Sequence, residues 1–118
     1  MSSQHDAITI EERFNASVEN VWRAWTDPNI ILKWFGSDPK GKGLNAMLDV
    51  QKGGAFEITF QDSDKTEHTC SGVYGEVQKH SRLSFSWQWK SEPGVISIVT
   101  VALHEKSNST HMLFTHSH

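Results

Sequence analysis

The stretch that most constrains this chain runs from Ser17 to Gly36: S-V-E-N-V-W-R-A-W-T-D-P-N-I-I-L-K-W-F-G, with three of the five tryptophans. Val18, Val21, Trp22 and Trp25 fall at i, i+3, i+4 and i+7, one face of a helix. Ser17 precedes that face, where its hydroxyl can accept from an orphan backbone N–H. Asp27-Pro28 ends the helix and starts another, because proline disfavours the α conformation before it and suits a first helical position itself. Ile30, Ile31, Trp34 and Phe35 continue to Gly36, a natural left-handed stop. Two helices this short do not persist alone in water. The rest of the chain must supply an apolar surface for them.

Strands meet that need. Ala7 to Phe14 reads as a strand with Ile8, Ile10 and Phe14 on one face. After the helices, Ser37 to Gly43 reads as a mobile loop. Leu44, Ala46, Leu48 and Val50 alternate with polar partners, Gly53-Gly54 turns the chain, and Phe56, Ile58 and Phe60 alternate again, which predicts a hairpin. Gln61 to Thr66 is a polar turn. His68 to Val77 is a strand bent or bulged at Gly72 and Gly75. Leu83, Phe85, Trp87 and Trp89 form a strict period-two face. Glu92-Pro93-Gly94 turns into the β-branched run Val95 to Leu103. Lys106 to Ser109 leads to a last strand, Thr110 to Thr115. The order predicts an α+β fold: one strand, two helices, then about six antiparallel strands with one face packed.

With 118 residues the chain is expected to be one domain, 1–118. A formal charge of −3 argues against nucleic acid, which needs a clustered basic face. No apolar run suits a membrane span. The opening M-S-S-Q-H-D has neither the basic start nor the apolar core of a signal peptide. The single cysteine, Cys70, cannot close an internal disulfide. A cytoplasmic location is the expectation.

A series of segments carries a resemblance: the phenylalanine-ended first strand, then V-W-R-A-W-T-D-P, W-F-G, D-V-Q-K-G-G-A-F, G-V-Y-G-E-V, R-L-S-F-S-W-Q-W and T-H-M-L-F-T-H. In this order they resemble the activator of 90-kDa heat-shock-protein ATPase homologue-like family, within the START-like (SRPBCC) superfamily, over Ile8 to His116. The resemblance implies a helix-grip fold, a curved antiparallel sheet around a long C-terminal helix with a cavity between them. Many members hold apolar small molecules there and a few catalyse reactions. This chain lacks that last helix. It reads either as a shortened product or as a natural short form whose open sheet face is covered by a partner.

The implied function is binding of a small hydrophobic or aromatic ligand on the concave face, with Trp34, Phe35, Phe56, Ile58, Tyr74, Phe85, Trp87 and Trp89 as its contacts. The family name implies an alternative, a co-chaperone-like stress-response protein acting on a heat-shock ATPase. A superfamily-type cyclase or hydrolase is a further reading. Trp22 and Trp25 read as helix packing. Seven histidines include a His116/His118 pair, but a zinc site needs three or four converging ligands, so no metal and no cofactor is expected. Cys70 and His68 share a strand face too far apart for a hydrogen bond, so Cys70 reads as structural. Glu76 reads as an edge charge. No nucleophile–base–acid order, phosphate loop or dinucleotide fingerprint stands out, and no catalytic residue is assigned. Expected partners are an apolar ligand, a second copy covering the open face, or a chaperone.

Overall fold

The computed structural model describes residues 7–35 and 40–117. Strand β1, Ile8–Phe14, leads into helix α1, Val18–Thr26, and helix α2, Pro28–Trp34. Local chemistry sets both helices. The Ser17 hydroxyl accepts from the Asn20 N–H at 3.2 Å. Asp27 serves two helices at once. Its own N–H closes α1 on the Arg23 carbonyl at 2.9 Å, and its Oδ1 opens α2 by accepting from the N–H groups of Asn29 and Ile30 at 2.9 and 3.3 Å. Phe35 closes α2 through its N–H on the Ile31 carbonyl. The expected stop at Gly36, and most of the expected Ser37–Gly43 loop, lie outside the described residues.

Six strands follow: β2 Lys42–Leu48, β3 Ala55–Gln61, β4 Glu67–Gln78, β5 Arg82–Trp89, β6 Ser97–Lys106 and β7 Ser109–Ser117. Every neighbouring pair is antiparallel, and the order across the sheet is β1-β7-β6-β5-β4-β3-β2. Gly53 and Gly94 supply the positive φ, 84° and 90°, that two connecting turns require. The first and last strands are therefore neighbours, and α1 and α2 cross one face from β6 and β7 over to β2.

That inner face carries rows of facing side chains. One runs Tyr74, Phe85, Val99, His116, Ile8; the next runs Val77, Leu83, Val101, Phe114, Ile10. Burial is deepest mid-sheet, where Leu83, Val99 and Val101 are 0%, 2% and 1% exposed. Val21, Trp22 and Ile31 press onto it from the helices. Burial fades toward β1, and Ile8, Ile10 and Phe14 are 55%, 43% and 37% exposed. The apolar face expected for β1 exists but is largely uncovered.

Three strand readings change. Leu44 was expected beside Ala46 and Leu48, yet the β2–β3 register shifts between Gly43 and Asn45. The extra residue turns Leu44 outward, while Ala46 and Leu48 pack on the core. Val50 lies beyond the strand. The last two strands also begin or end elsewhere than expected: Val95 and Ile96 are exposed ahead of β6, and β7 continues through Ser117. The bulge expected in β4 falls at Gly75, between Tyr74 and Glu76.

Two buried acids make the fold sensitive to alkali. Burial pushes the Cys70 thiol up from 9.0 to about 12, with backbone hydrogen bonding only partly opposing it. Burial also pushes the Tyr74 hydroxyl up, and the Asp49 carboxylate adds to that. In the unfolded chain both ionise near their ordinary values, so above pH 9 the unfolded state holds fewer protons than the native one. Stability then falls as pH rises, by up to about 1.4 kcal/mol per pH unit for each group. The urea midpoint should drop steadily from pH 9 toward pH 12, and Cys70→Ala should flatten that slope. A midpoint independent of pH there would mean both groups already ionise freely in the native protein.

Candidate functional site

The inner face has a covered end and an open end. Under the helices, Phe35, Phe56, Ile58, Tyr74, Phe85 and Trp87 converge with Trp25, Ile31 and Leu48 on a space of only about 10 Å³. That is about the volume needed to admit one water at most. Six of the eight expected ligand contacts therefore meet, but their rings fill the space between sheet and helices. Phe56 lies 5.5 Å from Tyr74 and 5.2 Å from Phe85, ring centre to ring centre. Trp34 and Trp89 lie outside this cluster.

Accessible apolar space lies to the side. A groove of about 390 Å³ runs between α1 and the β1–β7 edge. Its walls are Phe14, Ala16, Val21, Ala24, Trp25, Trp34 and Met112, with Asn20 the one polar residue. Trp34 is 44% exposed yet held: its indole N–H donates to the Ala24 carbonyl at 2.9 Å, and its ring stands edge-on to Trp25 at 4.9 Å. Trp25 in turn stacks on Phe114 at 5.9 Å. The helix tryptophan expected to be simple packing is thus also a groove wall.

Beyond the helices the floor is a row of rings. Trp87 and Trp89 stand 5.4 Å apart and perpendicular, with His116 6.0 Å from Trp87 and His68 6.3 Å from Trp89. Both histidines are anchored. His116 Nε2 and the Ser97 hydroxyl are hydrogen-bonded at 2.6 Å, and Ser97 itself is buried. His68 Nε2 meets Asp62 Oδ2 at 2.7 Å, while Asp62 Oδ1 is buried with no hydrogen-bond partner among the described residues. His116, named above only as one of a histidine pair, is a half-buried part of the floor. The sequence signal that could have found it is the period-two face Met112, Phe114, His116. His118 lies outside the described residues.

Other candidates are placed as follows. Cys70 is wholly buried and belongs to the core cluster. Glu76 is paired with Arg82 at 2.6 Å and accepts from Gln78 at 2.9 Å, so it is a strand-edge charge already engaged. Among the described residues no three histidine, cysteine or acidic side chains converge as a metal site. A wider hollow of about 530 Å³ lies on the outer face. Glu57, Ser71, Ser86 and Gln88 line it beside Met47, Phe56, Val73 and Ile96, the mixed surface of a sheet's solvent side, whereas the groove has one polar residue. Among the described residues no helix is long and apolar enough to cross a membrane.

A seven-stranded curved sheet with two short helices across its inner face is the helix-grip α+β fold of START-like proteins; the described residues contain no long C-terminal helix. A family model described as "Activator of Hsp90 ATPase homolog 1-like protein" matches residues 15–118, and the chain belongs to that family. Solved structures agree on the fold. A Nitrosomonas europaea protein superposes with a TM-score of 0.85 at 21% identity, covering 100% of this chain and 78% of its own. An AHSA1-like protein from Aeromonas hydrophila gives 0.80 at 23% identity, covering 95% and 74%. CalU16 from Micromonospora echinospora is 28% identical with a TM-score of 0.70, covering 95% of this chain and 60% of its own. No curated protein sequence matches the chain.

Proposed function

We propose that this protein binds a small hydrophobic or aromatic ligand on the concave sheet face, without catalysis. The observation that supports this is the apolar groove beside α1, about 390 Å³, a size within the range of small-molecule sites. Its wall residue Trp25 stacks on Phe114, which lies 6.4 Å from His116, and His116 lies 6.0 Å from Trp87, so a series of ring contacts links the groove to Trp87 and Trp89. In this reading Trp34 faces the ligand as a groove wall, Phe35, Phe56, Ile58, Tyr74, Phe85 and Trp87 form the packed cluster beside it, and Trp89 extends the ring row from Trp87. The His116–Ser97 and His68–Asp62 pairs give such a floor two polar points, the few placed polar groups that orient a ligand in an apolar site.

Tryptophan fluorescence tests it, with a panel of fatty acids, flat aromatics and flavonoids. Burying part of an aromatic ring is worth about 1.5 kcal/mol or more, so Trp34→Ala should weaken binding about tenfold. Far-UV circular dichroism should stay unchanged. Silence across the panel, or unaltered affinity in Trp34→Ala, would remove the groove as the site.

The family description supports a second reading, contact with a heat-shock ATPase. The exposed Ile8, Ile10, Phe14 and Trp34 are the side chains such a partner would cover. This reading predicts a changed ATPase rate when the protein is added to the host's own 90-kDa chaperone, and an unchanged rate would exclude it.

A further inference from the structure

We propose that β1 is a self-pairing edge, along which two copies of this chain join antiparallel about a two-fold axis at Glu12. The proposal is independent of the ligand reading. β1 ends the sheet, and all seven of its residues are exposed. Its register on β7 runs unbroken from Ile8 against His116 to Phe14 against Thr110, so no bulge twists the edge away. No proline interrupts it. The opposite edge differs. β2 carries the bulge at Leu44 and lies under α2, where a β-carbon on Gly43 would come within 2.5 Å of the Leu32 carbonyl oxygen. An open edge of unpaired N–H and C=O groups is a template for another strand.

Charges on an edge ordinarily discourage foreign strands. Those of β1 complement each other in one register. When two antiparallel strands are related by a two-fold axis perpendicular to the sheet, facing residues must point to the same side. The axis therefore passes beside a residue, and each choice of residue can be checked. At Glu12, Glu11 of each copy faces Arg13 of the other on the outer side, and Ile10 of each faces Phe14 of the other on the inner side. Moving the axis to Glu11 sets Glu11 against itself and Ile10 against Glu12. Moving it to Arg13 sets Arg13 against itself and Glu12 against Phe14. The Glu12 register alone matches both charge and apolarity, and its one unfavourable contact is Glu12 against Glu12 on the axis. It also covers part of Ile10 and Phe14, 43% and 37% exposed in the single chain.

So short a contact is smaller than a standard interface, so the association is reversible and concentration-dependent. Sedimentation velocity on the full chain over a wide concentration series tests it. The wild-type should pass from monomer to dimer. Glu11→Arg and Arg13→Glu each convert two attractive cross-strand pairs into repulsive ones, and each should weaken dimerisation about tenfold. The double exchange, Glu11→Arg with Arg13→Glu, should restore it, and Glu12→Gln should tighten it several-fold. These side chains are exposed, so melting curves taken at concentrations where the wild-type is monomeric should not move. A monomer at every concentration overturns the proposal. So does a dimer that the double exchange fails to restore or that Glu12→Gln fails to tighten. Ligand quenching in the single variants reads the groove separately.

Discussion

Gly72→Val should leave most of the chain unfolded at room temperature. Gly72 sits in β4 opposite Phe56. A β-carbon there would run into the Ser86 carbonyl oxygen of β5, and would meet Phe56 Cε2 and the Ser86 carbonyl carbon at 2.7 Å each. A flexible side chain could swing aside, but a neighbouring strand's backbone cannot. The adjoining Val73 N–H also donates to the Ser86 hydroxyl at 2.9 Å, so separating the strands forfeits that bond too. Overpacking a core typically costs about 1–3 kcal/mol. A collision with backbone in the middle of the sheet should exceed that, reaching about 4 kcal/mol or more, much of the 5–15 kcal/mol by which a domain is usually stable. Urea titration followed by far-UV circular dichroism reads the effect directly. Gly72→Ala should shift the midpoint the same way by less. An unmoved midpoint in the valine variant would show that β4 and β5 tolerate a wider spacing than the structure gives them.

Trp22→Ala should cost about 3–5 kcal/mol and release α1 from the sheet. Trp22 is 7% exposed and reaches past the core to the β4–β5 turn, where its ring stands edge-on to His80 at 6.1 Å. Val21 is the only other buried residue of that helix. Without the tryptophan, one of α1's two deep anchors is gone, and the mid-sheet apolar rows gain access to water. The variant should bind a hydrophobic dye strongly while keeping most of its strand signal. It should also lose ligand quenching, because α1 supplies Val21, Ala24 and Trp25 to the groove. Trp34→Ala separates the two effects, since that ring is 44% exposed and its loss should change affinity far more than stability. A Trp22→Ala protein melting like the wild-type would mean that α1 is held by something other than this side chain.

The parts of the fold legible in the residues are those set by near neighbours. The Asp27-Pro28 corner is one, because the carboxylate that caps α2 and the ring that opens it are adjacent in the chain. Leu83, Phe85, Trp87 and Trp89 are another, because alternation alone assigns them to one side of β5. The candidate site was only half legible. Aromatic residues on the inner face could be named from that alternation, but not whether space remained between them. Phe35, Trp87, Phe85 and Phe56 pack ring on ring under the helices, while the accessible groove is built from Phe14, Ala24 and Met112, which no pattern brought together. The Ser97–His116 hydrogen bond escaped notice for a similar reason. The two residues meet on the diagonal between two strands, and nothing near either residue announces the other.

The sequence by itself thus determined the order and kind of the elements, the capped helix pair and the apolar side of nearly every strand. These rest on periodicity and on hydrogen bonds that span a few residues. The tertiary structure alone decided which apolar rows are covered. Ile8 and Ile10 alternate as cleanly as Phe56 and Ile58, yet the first two are 55% and 43% exposed and the second two 5% and 2%. The difference lies in where two short helices, crossing from β7 to β2, come to rest. Coverage is a property of distant segments brought together, and periodicity within one strand carries no information about it.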